Sequence, residues 1–129
     1  GIVVAEFHKE IAEAMIQAAV HKLKEYNGKP AVIVRVPGCF EMPLAVKRVL
    51  TKNAVDAIVV LGYIEKGETL HGEVMGHAVY HALIQLQLQH MKPIGFGIIG
   101  PGATEKQATK RMKSAAAHAI STAWHMCTI

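Results

Sequence analysis

Aromatic side chains are scarce in this chain, at 5% of 129 residues with a single tryptophan. Its basic residues form no stripe interleaved with aromatics, so no nucleic-acid-binding surface is expected. Cysteine is nearly missing: Cys39 and Cys127 stand far apart, in no metal or redox spacing. That argues against a metal site and makes reduced thiols in the cytoplasm the expectation. No apolar run approaches the roughly 20 residues that cross a bilayer, so no membrane association is expected. Gly1-Ile2-Val3-Val4 already reads as a strand, and no signal peptide is expected ahead of it. Serine or cysteine in an activated nucleophile setting is also missing.

What remains is 51% hydrophobic and 19% charged, a globular composition suited to one domain over residues 1–129. The net charge of +4 at pH 7 is mild and fits a phosphorylated substrate. Four short apolar runs alternate with helical patterns. The first ends at Ala5, and Ile11, Ala14, Met15, Ala18, Ala19 and Leu23 then recur at helical spacing up to Asn27-Gly28. Residues 31–36 form the second strand, and a helix with Pro43 in its first turn runs to about Leu50. Residues 57–61 form the third strand, followed by a helix reaching His90 that Pro93 blocks. Residues 94–99 form the fourth strand, which Gly100-Pro101-Gly102 turns away. Thr104 with Gln107 then reads as a capping box for the last helix. Apolar strands separated by helices predict a small doubly wound parallel sheet of flavodoxin-like type, four-stranded with helices on both faces. Ligands bind such sheets outside the carboxyl ends of the strands.

The unusual residues fall in the loops leaving that edge. Gly67-Glu68-Thr69 ends a glycine-broken strand-to-helix loop, where free N–H groups and the helix dipole favour an anion. Thr69 reads as a cap or phosphate contact, and His71, one turn in, as a proton carrier. The same residues also read blandly: a capped helix start, Phe7 and Phe40 as core lids, Glu41 as a solvated acid. Arg111, among Lys106, Lys110 and Lys113, reads as a solvated face. His77 and His81 lie one turn apart, but two ligands without a third do not make a metal site. The chain end 123–127 is apolar on more than one side, which predicts burial in an oligomer.

Several segments together resemble the lumazine synthase family, its archaeal members more than its bacterial ones. They are Val4-Ala5-Glu6-Phe7, Val36-Pro37-Gly38-Cys39-Phe40-Glu41-Met42-Pro43, Leu61-Gly62 through Gly67-Glu68-Thr69 to His71, Gly97 through Gly102, and Gln107-Ala108 with Arg111. The resemblance covers essentially the whole chain in order and spacing. It implies an enzyme of riboflavin biosynthesis that makes 6,7-dimethyl-8-ribityllumazine without metal or cofactor. It also implies a site between adjacent subunits of a pentamer, which in some members builds a 60-subunit shell. By position, Phe7 would stack on the pyrimidine ring, and Cys39, Phe40, Glu41, Ile64 and Glu65 would line the substrate pocket. Gly67, Glu68 and Thr69 would hold phosphate, and His71 would move protons. Phe96 and Arg111 would come from the neighbouring subunit, Arg111 onto the phosphate. The chain departs from the family's pattern at His8, where asparagine is usual, at Glu65, where an apolar residue is common, and at Gly72, where a larger one is. A shell or scaffold subunit with weakened chemistry is the alternative, and a flavin-type ligand binder on the same fold is a third.

Overall fold

The computed structural model describes residues 1–52 and 54–129. In chain order its elements are β1 (Ile2–Ala5), α1 (Lys9–Glu25), β2 (Ile33–Val36), a 3-10 turn (Cys39–Glu41), α2 (Met42–Lys52), β3 (Ile58–Glu65), α3 (His71–His90), β4 (Ile94–Ala103) and α4 (Glu105–Cys127). The strands are all parallel and lie in the order β2-β1-β3-β4. Alternation of side chains along each strand divides the core in two. Ile2, Val4, Val59, Leu61 and Tyr63 pack under α1 and α4. Val3, Ala5, Ile58, Val60 and Ile64 pack under α2 and α3. Both faces of β1 and β3 are covered, which is why they read as unbroken apolar runs, while the edge strand β2 leaves Ile33 and Arg35 exposed. Burial of each large apolar side chain contributes roughly 1.5–3 kcal/mol. The expected doubly wound, flavodoxin-like sheet is therefore the observed one.

The helix ends follow local chemistry. After α1, Asn27 takes a left-handed conformation (φ 58), and the Gly28 N–H returns to the Leu23 carbonyl at 2.9 Å. At α4, the Thr104 hydroxyl accepts from the Gln107 N–H at 3.3 Å, and the Gln107 side chain accepts from the Thr104 N–H at 2.9 Å. This is the capping box expected there.

Strand lengths differ from expectation. β2 starts at Ile33 rather than at residue 31, while β3 and β4 run past their apolar stretches to a Glu65–Ala103 pairing. The register shifts between Tyr63 and Glu65. Gly100-Pro101-Gly102 is not a turn but part of β4, an edge strand, where a missing N–H can face away from the ladder. The Ala103 carbonyl closes the extension, accepting from the Lys66 N–H at 2.9 Å and the Tyr63 hydroxyl at 2.8 Å.

Candidate active site

The first loop at the carboxyl edge of the sheet is held by the chain's own hydrogen bonds. The loop after β1 is tied down by the Glu6 N–H, which donates to the Val36 carbonyl at 2.8 Å. Arg35 Nη1 donates to the Glu6 carboxylate at 3.1 Å and also to Glu13. With Glu6 held, Phe7 projects with 69% of its surface exposed. An exposed phenyl on an anchored loop is available as a stacking platform. His8 lies between Phe7, edge-on at 5.0 Å, and Tyr63, tilted at 4.9 Å. Its Nε2 is 3.4 Å from Glu65 Oε2.

After β2, Cys39 turns inward and is buried in the core shared with α2 and α3. Burial first, and the Glu41 charge second, push its thiol up to about 12, so it remains protonated near neutral pH. Phe40 is 53% exposed and stands edge-on to the His71 imidazole at 5.9 Å. Glu41 is exposed beside it.

The third loop forms a groove of about 340 Å³ between Glu65 and Glu73, with Gly102 closing one side. Among the described residues, the N–H groups of Gly67, Glu68 and Thr69 make no backbone hydrogen bond, so they are free to take an anion. His71 is the first residue of α3, not one turn in. Thr69 does not cap the helix: Leu70 occupies that position, and the Thr69 hydroxyl accepts from the His71 N–H at 3.3 Å. The helix is seated by Gly76, where an added Cβ would lie 2.8 Å from Pro101 Cδ. The Tyr80 hydroxyl donates to the Gly100 carbonyl at 2.7 Å and to the Ile98 carbonyl at 3.2 Å. Burial raises that phenol to about 12.

The edge thus collects two groupings, Phe7 with His8 and Glu65, and Phe40 with His71, around one loop with unbonded backbone N–H groups. Ile64 and Cys39 lie nearby, but their side chains are buried in the core beneath. Phe96 is half-buried beneath α3, 5.9 Å from the Tyr80 ring, and Arg111 is exposed on α4, its Nη1 donating to the Gln107 carbonyl at 3.3 Å. Neither is gathered to the groove of its own chain. His77 is on the exposed side of α3, 3.9 Å from Glu73, and His81 is exposed one turn on. Sequence reasoning did not place His8 and Tyr63 in the site; the signal was the histidine directly after Phe7. A larger hollow of about 760 Å³ lies at the opposite edge, among Gly1, Pro93, Trp124 and Ile129. It faces the amino ends of the strands, away from the carboxyl edge where parallel sheets hold ligands, and the smaller groove is the candidate.

A family model described as 6,7-dimethyl-8-ribityllumazine synthase matches residues 1–129. A 6,7-dimethyl-8-ribityllumazine synthase from Saccharolobus islandicus (strain L.S.2.15 / Lassen #1) is 42% identical over 123 residues, covering 95% of this chain and 80% of that protein. The one from Metallosphaera sedula is 42% identical over 126 residues, covering 98% and 83%. The one from Staphylothermus marinus is 40% identical over 120 residues, covering 93% and 80%.

Proposed function

The chain belongs to the 6,7-dimethyl-8-ribityllumazine synthase family, and on that premise we propose that it makes this product for riboflavin biosynthesis. It joins 5-amino-6-(D-ribitylamino)uracil to 3,4-dihydroxy-2-butanone 4-phosphate and releases phosphate and water. The observation that carries this reading is the family match over residues 1–129, which takes in every loop at the carboxyl edge.

The roles follow from chemistry. Condensing an amine with a ketone requires proton transfers, the work an imidazole ordinarily does near neutral pH, and His71 supplies one beside the open loop. The free N–H groups of Gly67, Glu68 and Thr69 stabilise the departing phosphate. Phe7 stacks on the pyrimidine, and Phe40 and Glu41 hold the ring and ribityl chain. Ile64 and Cys39 back the pocket from the core. Orienting two substrates together supplies the entropic share of the acceleration, so no covalent nucleophile is required.

The groove of one chain carries Glu65, Glu68 and Glu73 against Lys66 alone, a poor balance for a phosphorylated ligand. Arg111 of a neighbouring subunit, with Phe96, completes the site in a pentamer, which can in turn build a larger shell. An exposed stripe along α3 supports that assembly. Leu70, Val74, His77, His81, Ile84, Leu88 and Met91 recur by alternating steps of four and three, the spacing of helices packed side by side.

Mixing the protein with both substrates and following lumazine absorbance tests the reading. Product well above the uncatalysed background is expected. None from a folded, assembled sample would mark a structural subunit that keeps the outline of the site.

A further inference from the structure

Glu65 is where several independent contacts meet. Its carboxylate faces the His8 imidazole, with Oε2 3.4 Å from Nε2, and the same residue lines the anion groove. His8 Nε2 is buried yet has no aligned hydrogen-bond partner. The His8 ring nitrogen is therefore in reach of the carboxylate and has no other partner among the described residues. The backbone of Glu65 is held as well. Its N–H side lies past the register shift that follows Tyr63, and a Cβ at Gly72 would come within 3.0 Å of its carbonyl oxygen. The first turn of α3 therefore approaches the Glu65 backbone closely at Gly72. His8 in turn backs the edge of Phe7 at 5.0 Å and lies against Tyr63 at 4.9 Å.

We propose that His8 and Glu65 are a positioning and specificity pair for the uracil substrate. His8 fixes the carboxylate and the Phe7 ring, and Glu65 accepts N–H groups of the heterocycle laid on Phe7. Although Oε2 faces His8, the Glu65 side chain is 44% exposed and lines the groove, so it stays open to a ligand. A carboxylate repels phosphate, so this end of the groove favours the donor-rich partner, while the free N–H groups of Gly67 to Thr69 receive the anion.

The inference rests on the proposed reading of this edge as the site, and the experiment separates the two. Assembled parent, Glu65→Ala, His8→Ala, the double variant and Glu65→Gln are titrated calorimetrically with 5-amino-6-(D-ribitylamino)uracil alone. Each is also assayed with both substrates. Each alanine variant is expected to raise the Kd and KM for the uracil about tenfold, as loss of a charge-assisted hydrogen bond does. The KM for the butanone phosphate stays unchanged, the double variant is no worse than either single one, and Glu65→Gln, which keeps an acceptor oxygen, recovers most of the loss. A parent that binds the uracil but forms no product removes the catalytic reading, and the binding pattern then decides the pair by itself. An unchanged uracil Kd in Glu65→Ala, losses that multiply in the double variant, or equal rises in both KM values overturn the pair. A parent that does not bind the uracil overturns both.

Discussion

The Cys39 thiol packs beside Gly62, whose added Cβ would lie 3.1 Å from its sulfur, and this position decides how it titrates. Burial raises it from an ordinary 9.0 to about 12, and raises the Tyr80 phenol from 10.0 to about 12. Both groups hold their protons more tightly folded than unfolded. Their contribution is complete below the unfolded values and is lost as pH rises through the folded ones. Circular dichroism against pH should therefore show stability falling from about pH 9 towards 12, and Cys39→Ala should flatten the start of that fall. His71 is expected to act chemically instead: His71→Ala should lower turnover by on the order of 100-fold with assembly intact. A variant as fast as the parent would remove His71 from the mechanism. The sequence made these residue types legible, because polar and aromatic groups at strand exits stand out from apolar strands. It did not show that His8 meets Glu65. They leave different strands, and the order β2-β1-β3-β4, not spacing, makes those exits neighbours.

Elements were legible where their periodicity continues and obscured where it breaks. The capping box at Thr104 and the stop at Asn27-Gly28 are local hydrogen-bond chemistry, so sequence reveals them directly. The far ends of β3 and β4 are not local. Gly100-Pro101-Gly102 reads as a turn, yet the Ala103 carbonyl takes two hydrogen bonds from the β3 exit and keeps the strand paired. That extension carries Pro101 to Gly76 and so sets where α3 begins. Gly76→Ala would drive a Cβ to 2.8 Å from Pro101. Overpacking of this kind costs about 1–3 kcal/mol, and a melting temperature lower by roughly 3–10 °C is expected from calorimetry. Because α3 carries His71, turnover should fall as well. An unchanged melting temperature would mean that the helix shifts without resistance.

At the scale of the molecule, the proposed site takes His71 from one chain and Arg111, on α4, from its neighbour. The exposed stripe on α3 is the face proposed for neighbouring copies, and a shared site would have a consequence that a site within one chain lacks. His71→Ala and Arg111→Ala subunits, each strongly impaired when assembled alone, are denatured, mixed in equal amounts and reassembled. At an interface where an Arg111→Ala subunit supplies His71 and its His71→Ala neighbour supplies Arg111, the site is whole. Random mixing makes about one quarter of the interfaces whole in a cyclic ring, so about a quarter of parent activity should return. The exposed apolar residues of α3 allow a control. Adding Leu88→Glu to both subunits places a charge in each seam, so light scattering should report smaller species and the recovered activity should disappear. Recovery that survives loss of the ring would mean that the two residues meet in a smaller unit. No recovery from a fully mixed, intact ring would place both residues in the same subunit's site, and the α4 arginine would then have to reach the groove of its own chain.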